Sequence, residues 1–239
     1  MPENILALIY ILALSIPILI IGRRPTTVLG MEHAAFNRRR NLWIAITILA
    51  FLSYNFWVFI IFSMIIILFH GRHEDNKMAM FLFILFAVPM LEERIPSPAI
   101  IDYFFDIHYG RLLCMAILFP VWIHAKKDLT DSIKFGKLIP DKILIAYLVL
   151  KLILSLRSDT YTATHLLREH VFYAFTDIFL PYYVASRTLT SRNRLQDALL
   201  SYIVAMVIMG SICFFEFVRH YLLYSSLNSV WNKIGRAHV

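Results

Sequence analysis

The chain has 239 residues, of which 59% are hydrophobic and only 16% charged, with a mean hydropathy of +0.68. Soluble domains carry about 25% charged residues, so this composition excludes an ordinary soluble domain and predicts a polytopic helical membrane protein. A formal charge of +7 with a pI near 9.5 would imply nucleic acid for a soluble chain. Here positive-inside membrane loops are the simpler cause, and no nucleic-acid partner is expected.

In chain order, residues 4–22 predict a first helix, too long for a signal-peptide core and without a small-residue cleavage site. Pro17 is tolerated within it as a membrane-helix kink. Residues 23–40 read as a basic loop. Residues 41–69 then run for 29 positions without a charge. As one helix they would span about 43 Å, beyond a hydrocarbon core of roughly 30 Å. They are also short for two full crossings. Downstream come a short apolar run (78–91), a Pro-broken loop (92–110), a span (111–125) and a lysine-rich loop (126–142). Two spans (143–156 and 166–186) follow, joined by the polar turn 157–165; a basic loop (187–197) and a last span (198–224) close the series.

Charge counting decides how residues 41–69 behave. If they turn back near Ser53-Tyr54-Asn55, the cytoplasmic loops hold 15 Lys and Arg against six outside; if they cross once, the split is 11 against 10. The positive-inside rule favours the turn-back, with limbs of about 14 residues and with Trp43 and Trp57 marking the start and the far side of the turn. The expected fold is therefore all-α: a transmembrane bundle of about eight membrane segments, including a short hairpin at 41–69, in a single integral domain over residues 1–233. The N-terminus, the loop 92–110 and the turn 157–165 are expected outside.

Residues 234–239 read IGRAHV, the translation of ATC GGA AGA GCA CAC GTC in a common sequencing adapter. This tail is expected to be non-native, and the chain to be the N-terminal portion of a larger protein. Resequencing the locus tests that.

No hydrolytic triad, zinc spacing or phosphate-binding glycine loop appears, so neither a metal nor a cofactor is expected. Cys114 and Cys213 lie in apolar runs without metal-ligand spacing and read as packing residues. What remains is ionisable residues at membrane depth, each a functional candidate because burying charge is costly. Arg168, Glu169 and His170 form one group. An arginine there suits a pyrophosphate, and a headgroup-solvated interfacial anchor is the other reading. Glu216, Arg219 and His220 form another. Glu216 and Arg219 share a helix face, where they could pair with each other or contact substrate. Lys151 and Asp177 lie on consecutive spans, offset by roughly 9 Å along the helices, so pairing is partly within reach. Arg187 follows LPYYVAS and reads first as a topology determinant.

Taken together, RRRNLWIAITILAFLSYNFWVF, MFLFILFAVPML, IDYFFDIHYGRLLCMAILFPVW, TDIFLPYYVASR and SICFFEF resemble the N-terminal half of the O-antigen polymerase and ligase superfamily, most of all its exopolysaccharide-polymerase branch. The resemblance covers the chain to about residue 228, in the order and spacing of the blocks. It implies a metal-independent glycosyltransferase of the bacterial inner membrane. Such an enzyme moves glycan from an undecaprenyl-pyrophosphate carrier to an acceptor hydroxyl on the periplasmic side, in the bilayer and alongside polysaccharide export machinery. By the same resemblance, Arg168, Asp177, Pro181 and Arg187 fall in or beside the matching D-x-F-L-P-Y-Y block. The tentative substrate-binding set is thus Arg168, His170, Asp177, Arg187, Glu216 and Arg219. The general base is expected beyond residue 239, and the fragment alone is expected to be inactive. The alternative is a multi-pass transporter or flippase for a lipid-linked or small anionic solute. A non-catalytic subunit of an export complex is the third.

Overall fold

The computed structural model describes residues 2–89, 93–96, 103–127, 135–157, 168–227 and 230–231. The expected non-native tail, and most of the turn 157–165, lie outside them. The fold is predominantly helical, as the sequence predicts. In chain order the elements are α1 (Glu3–Val28), α2 (His33–Leu52), α3 (Phe56–Gly71) and α4 (Lys77–Ile84). Strands β1 (Glu93–Pro96) and β2 (Tyr103–Ile107) come next. Then α5 (Tyr109–Leu113) continues through a π-helical turn, Cys114–Leu118, into α6 (Phe119–Lys127). After α7 (Ile139–Leu156), a π-helical stretch, Arg168–Phe179, runs into α8 (Leu180–Thr188), and α9 (Arg192–Arg219) follows. The chain divides into two compact units, one of residues Met1–Leu91 with Leu189–Val239, the other of Glu92–Thr188.

The first unit settles residues 41–69 as two helices. Ser53 is extended and Asn55 caps α3, its side-chain oxygen accepting from the Trp57 N–H at 2.8 Å. Asparagine competes with the backbone for such bonds, which is why an otherwise uninterrupted apolar run breaks here. The carbonyls that α2 leaves open at its end are taken up by side chains from elsewhere. Asn4 Nδ2 donates to Phe51 O at 3.1 Å and Trp231 Nε1 to Ser53 O at 2.8 Å. Trp231 also stacks on Phe59, ring centroids 5.1 Å apart. At the other end of the same two helices, Arg39 meets Glu74. The chain therefore reverses at residues 53–55 and brings residue 74 back beside residue 39. The limbs exceed the expected 14 residues because α2 begins at His33, eight positions before the uncharged run, and α3 has 16 residues.

Other expectations are corrected. The basic loop 23–40 is mostly helix: α1 continues through Arg23 and Arg24 to Val28, leaving only residues 29–32 as a turn with Gly30 at φ +103°. Thr26 and Thr27 hydroxyls return to carbonyls of Gly22, Arg23 and Arg24 at 2.8–3.0 Å and hold that last turn. Among the described residues, the run 78–91 gives only the eight-residue α4. Trp43 is fully buried rather than interfacial, and Cys213 is exposed whereas Cys114 is packed. The loop 92–110 holds an antiparallel strand pair, with Glu93 opposite Ile107 and Pro96 opposite Tyr103.

By length and composition, α1 and α9 suffice to cross a membrane; shorter apolar helices cover Phe56–Gly71 and Tyr109–His124. Exposed surface is apolar on several elements: Ile61, Phe62, Ile65 and Phe69 of α3, Ile143, Leu150 and Ile153 of α7, and Phe214 and Phe217 of α9.

Candidate functional site

The second unit gathers a polar cluster around Arg111. The residue opens α5, whose N-cap His108 accepts the Arg111 backbone N–H on Nδ1 at 3.3 Å. The helix then runs into RLLCMAILFPVW, so the guanidinium sits at the head of an apolar segment and is 7% exposed. Its Nε lies 3.2 Å from both Asp177 carboxylate oxygens and its Nη2 lies 2.9 Å from Oδ2. Nη1 donates to the Asp106 carbonyl at 2.6 Å, and the guanidinium carbon stands 3.5 Å over the centre of the Tyr173 ring. Tyr173 O–H donates to the Asp106 carboxylate at 3.0 Å, and Thr176 O–H to Asp177 at 2.8 Å. Asp106 comes from β2, whereas Tyr173, Thr176 and Asp177 come from the π-helical stretch. In that wide winding, residues four and five apart fall on one side.

Chemically this is a guanidinium fixed on three sides in an apolar setting. Among the described residues, its bonds to Asp177 and Asp106 occupy three of its five N–H groups. Asp177 keeps 34% of its side chain exposed. A planar anion arriving there would meet a preoriented donor fork.

Arg168 and His170 open the same π-helical stretch. Arg168 is buried; His170 is half-buried, and its Nε2 meets no hydrogen-bond partner among the described residues. Asp177 pairs with Arg111, not with Lys151. In the sequence Arg111 figures only as one of the six outer basic charges. The available signal was two lone opposite charges, each inside an otherwise apolar block.

Arg187 is engaged elsewhere in this unit. It forms a two-pronged bond with Asp141, Nη1 to Oδ1 at 2.9 Å and Nη2 to Oδ2 at 2.6 Å, with both side chains buried. Asp141 also accepts from Tyr182 O–H at 2.6 Å and Gly136 N–H at 2.9 Å. These bonds, Arg187 foremost, hold the Asp141 carboxyl well below the ordinary carboxylate range despite its burial, and Asp141 in turn raises Arg187. Both Asp141 oxygens are bonded, while Arg187 Nε meets no hydrogen-bond partner among the described residues; the pair reads as a clasp between the start of α7 and the end of α8.

In the first unit, Glu216 and Arg219 do not pair. Glu216 accepts the Leu223 N–H at 2.7 Å, capping the turn after α9, where His220 adopts φ +50°. Arg219 lines an apolar cleft with Phe215 and Val218. The candidate set therefore separates: Arg168, His170 and Asp177 share one π-helical stretch, Arg187 belongs to the clasp, and Glu216 ends a helix. Among the described residues no group of histidines, cysteines and carboxylates is arranged to hold a metal ion.

Comparison with family models, with curated proteins and with solved structures finds no match for this chain.

Proposed function

We propose that this chain is the N-terminal portion of a multi-pass membrane glycan polymerase or ligase. The enzyme would transfer sugar from an undecaprenyl-pyrophosphate carrier to an acceptor hydroxyl on the periplasmic side of a bacterial inner membrane. Two features support the membrane part: apolar side chains face outward on α3, α7 and α9, and the ion pairs of Arg39 and Arg187 are buried. In water each exposed large apolar side chain forgoes about 1.5–3 kcal/mol of burial. Against lipid it forgoes little.

The observation that carries the chemical part is Arg111, a buried guanidinium at the head of an apolar helix, held by a carboxylate that remains one-third exposed. In the proposed reaction the acceptor oxygen bonds to the anomeric carbon as the bond from that carbon to the phosphate oxygen breaks. The acceptor proton passes to a base, and the carrier leaves as its pyrophosphate. Charge grows on the leaving pyrophosphate. Arg111, exchanging Asp177 for phosphate oxygens, would stabilise it there, with Arg168 as a second cation of the same unit.

The test is retention of undecaprenyl pyrophosphate by the purified chain in phosphatidylcholine vesicles, with undecaprenol as control. The proposal expects preference for the pyrophosphate, lost in Arg111→Ala, partly kept in Arg111→Lys and strengthened in Asp177→Asn. Equal retention of undecaprenol, or an Arg111→Ala variant that binds normally, overturns it.

A further inference from the structure

The arginines of residues 23–40 sort into two sets. Arg38 and Arg39 turn toward acids, Arg38 Nε lying 3.5 Å from Glu74 and Arg39 binding both Glu74 and Asp197. Arg23, Arg24 and Arg40 turn the other way. With His33 and Ile20 they line a cleft of about 290 Å³ at the corner between α1 and α2. Among the described residues none of these three arginines meets a carboxylate; Arg40 donates only to the Asn41 side-chain oxygen, at 3.1 and 3.0 Å. Arg23, Arg24 and His33 are exposed.

Three guanidinium groups around one cleft repel one another unless an anion stands among them. The apolar floor indicates what kind of anion. Ile20 lines the cleft, and Ile16, one turn away on the same face of α1, is exposed as well.

We infer that the Arg23–Arg24–Arg40 cleft binds the phosphate of an anionic phospholipid headgroup, with an acyl chain lying along Ile20 and Ile16. The inference rests on the reading that α1 crosses a membrane. Phosphate chemistry alone would also admit free inorganic phosphate; the Ile20–Ile16 strip favours the lipid.

The experiment reconstitutes the chain in phosphatidylcholine vesicles doped with a minority of phosphatidylglycerol and measures, by native mass spectrometry, which lipid stays bound. Wild type is expected to retain phosphatidylglycerol in excess of its share. The Arg23→Gln/Arg24→Gln/Arg40→Gln variant should lose that preference by roughly a hundredfold, about fivefold per arginine. Replacing the same three by lysine should keep most of it. A charge-matched Arg72→Gln/Lys142→Gln/Arg192→Gln variant, outside the cleft, should bind as wild type does. Absence of enrichment in wild type, unchanged enrichment in the glutamine variant, or complete displacement by inorganic phosphate overturns the lipid site. Release of the chain from membranes by alkaline carbonate overturns instead the membrane reading beneath it.

Discussion

Arg39 and Glu74 stand on either side of a 29-residue uncharged run, yet their side chains meet at 2.6 Å with exposures of only 1% and 2%. Asp197 from α9 approaches the same guanidinium at 2.7 Å, and Ser201 and Asn76 complete the network. Removing Arg39 strands Glu74, 2% exposed and left only the longer Arg38 contact at 3.5 Å. Arg39→Ala should therefore cost about 3–5 kcal/mol, whereas Arg72→Ala, at an exposed neighbour, should stay within about 0.5 kcal/mol. Unfolding of the purified chain in detergent measures both.

The same contact puts Arg39 and Glu74 at one end of the α2–α3 pair, with Tyr54 at the other. In a cysteine-free background, Glu32→Cys and Arg72→Cys should react with an impermeant maleimide from one face of the membrane, and Tyr54→Cys from the other. If the probe at 72 labels together with the one at 54, residues 41–69 cross once and the turn at Ser53–Asn55 does not hold in the bilayer.

The Asp141–Arg187 clasp makes a pH prediction. Asp141 titrates below its ordinary value in the fold, chiefly because Arg187 hydrogen-bonds its charged form. A carboxyl depressed in this way stabilises the fold above its unfolded pKa of about 3.9 and loses that contribution as pH falls toward the lower folded value. Asp141→Asn should be less stable than wild type at pH 6, with the gap in melting temperature closing below about pH 4. A gap constant with pH would mean that the clasp contributes packing and not charge.

Trp231 ties the end of the described chain to the α2–α3 turn. Its indole donates to Ser53 O at 2.8 Å and packs against Phe56 and Phe59, with centroids at 5.4 and 5.1 Å. Trp231→Ala should cost about 3–5 kcal/mol by cavity formation. Trp231→Phe keeps ring packing and should lose only about 1 kcal/mol for the hydrogen bond. Denaturant titration separates the two.

Helix content and the reversal at Ser53–Asn55 were legible because hydropathy and charge asymmetry are summed over long stretches. Pairing was not, since a single charge in an apolar block says that it needs a partner without saying which. Asp177 had Lys151 within plausible reach along ordinary helical rise, and Arg111 lay 66 residues away. The π-helical stretch changes which positions share a face, so 3.6-residue periodicity points to the wrong neighbours there. Glu216 and Arg219 failed for a different reason: the turn after α9 offers an open backbone N–H, and a nearby carboxylate caps it. The strand pair was hidden because Pro96 and Pro98 read as loop punctuation.

The five-residue wide turn Cys114–Leu118 has a consequence for how the helix carrying Arg111 is phased. An ordinary helix advances about 100° per residue, so one residue absorbed into a wider turn rotates everything before it by that angle relative to everything after. Arg111 lies before the turn, and Phe119 and Trp122, which pack on Phe175, lie after it. On a regular α-helix Phe119 would stand about 80° from Arg111 and Trp122 about 20°; with one residue absorbed, Phe119 comes within about 20° of Arg111 and Trp122 moves to about 80° on the other side. Deleting one residue within 114–118 would leave composition and hydropathy almost untouched and turn Arg111 away from Asp177.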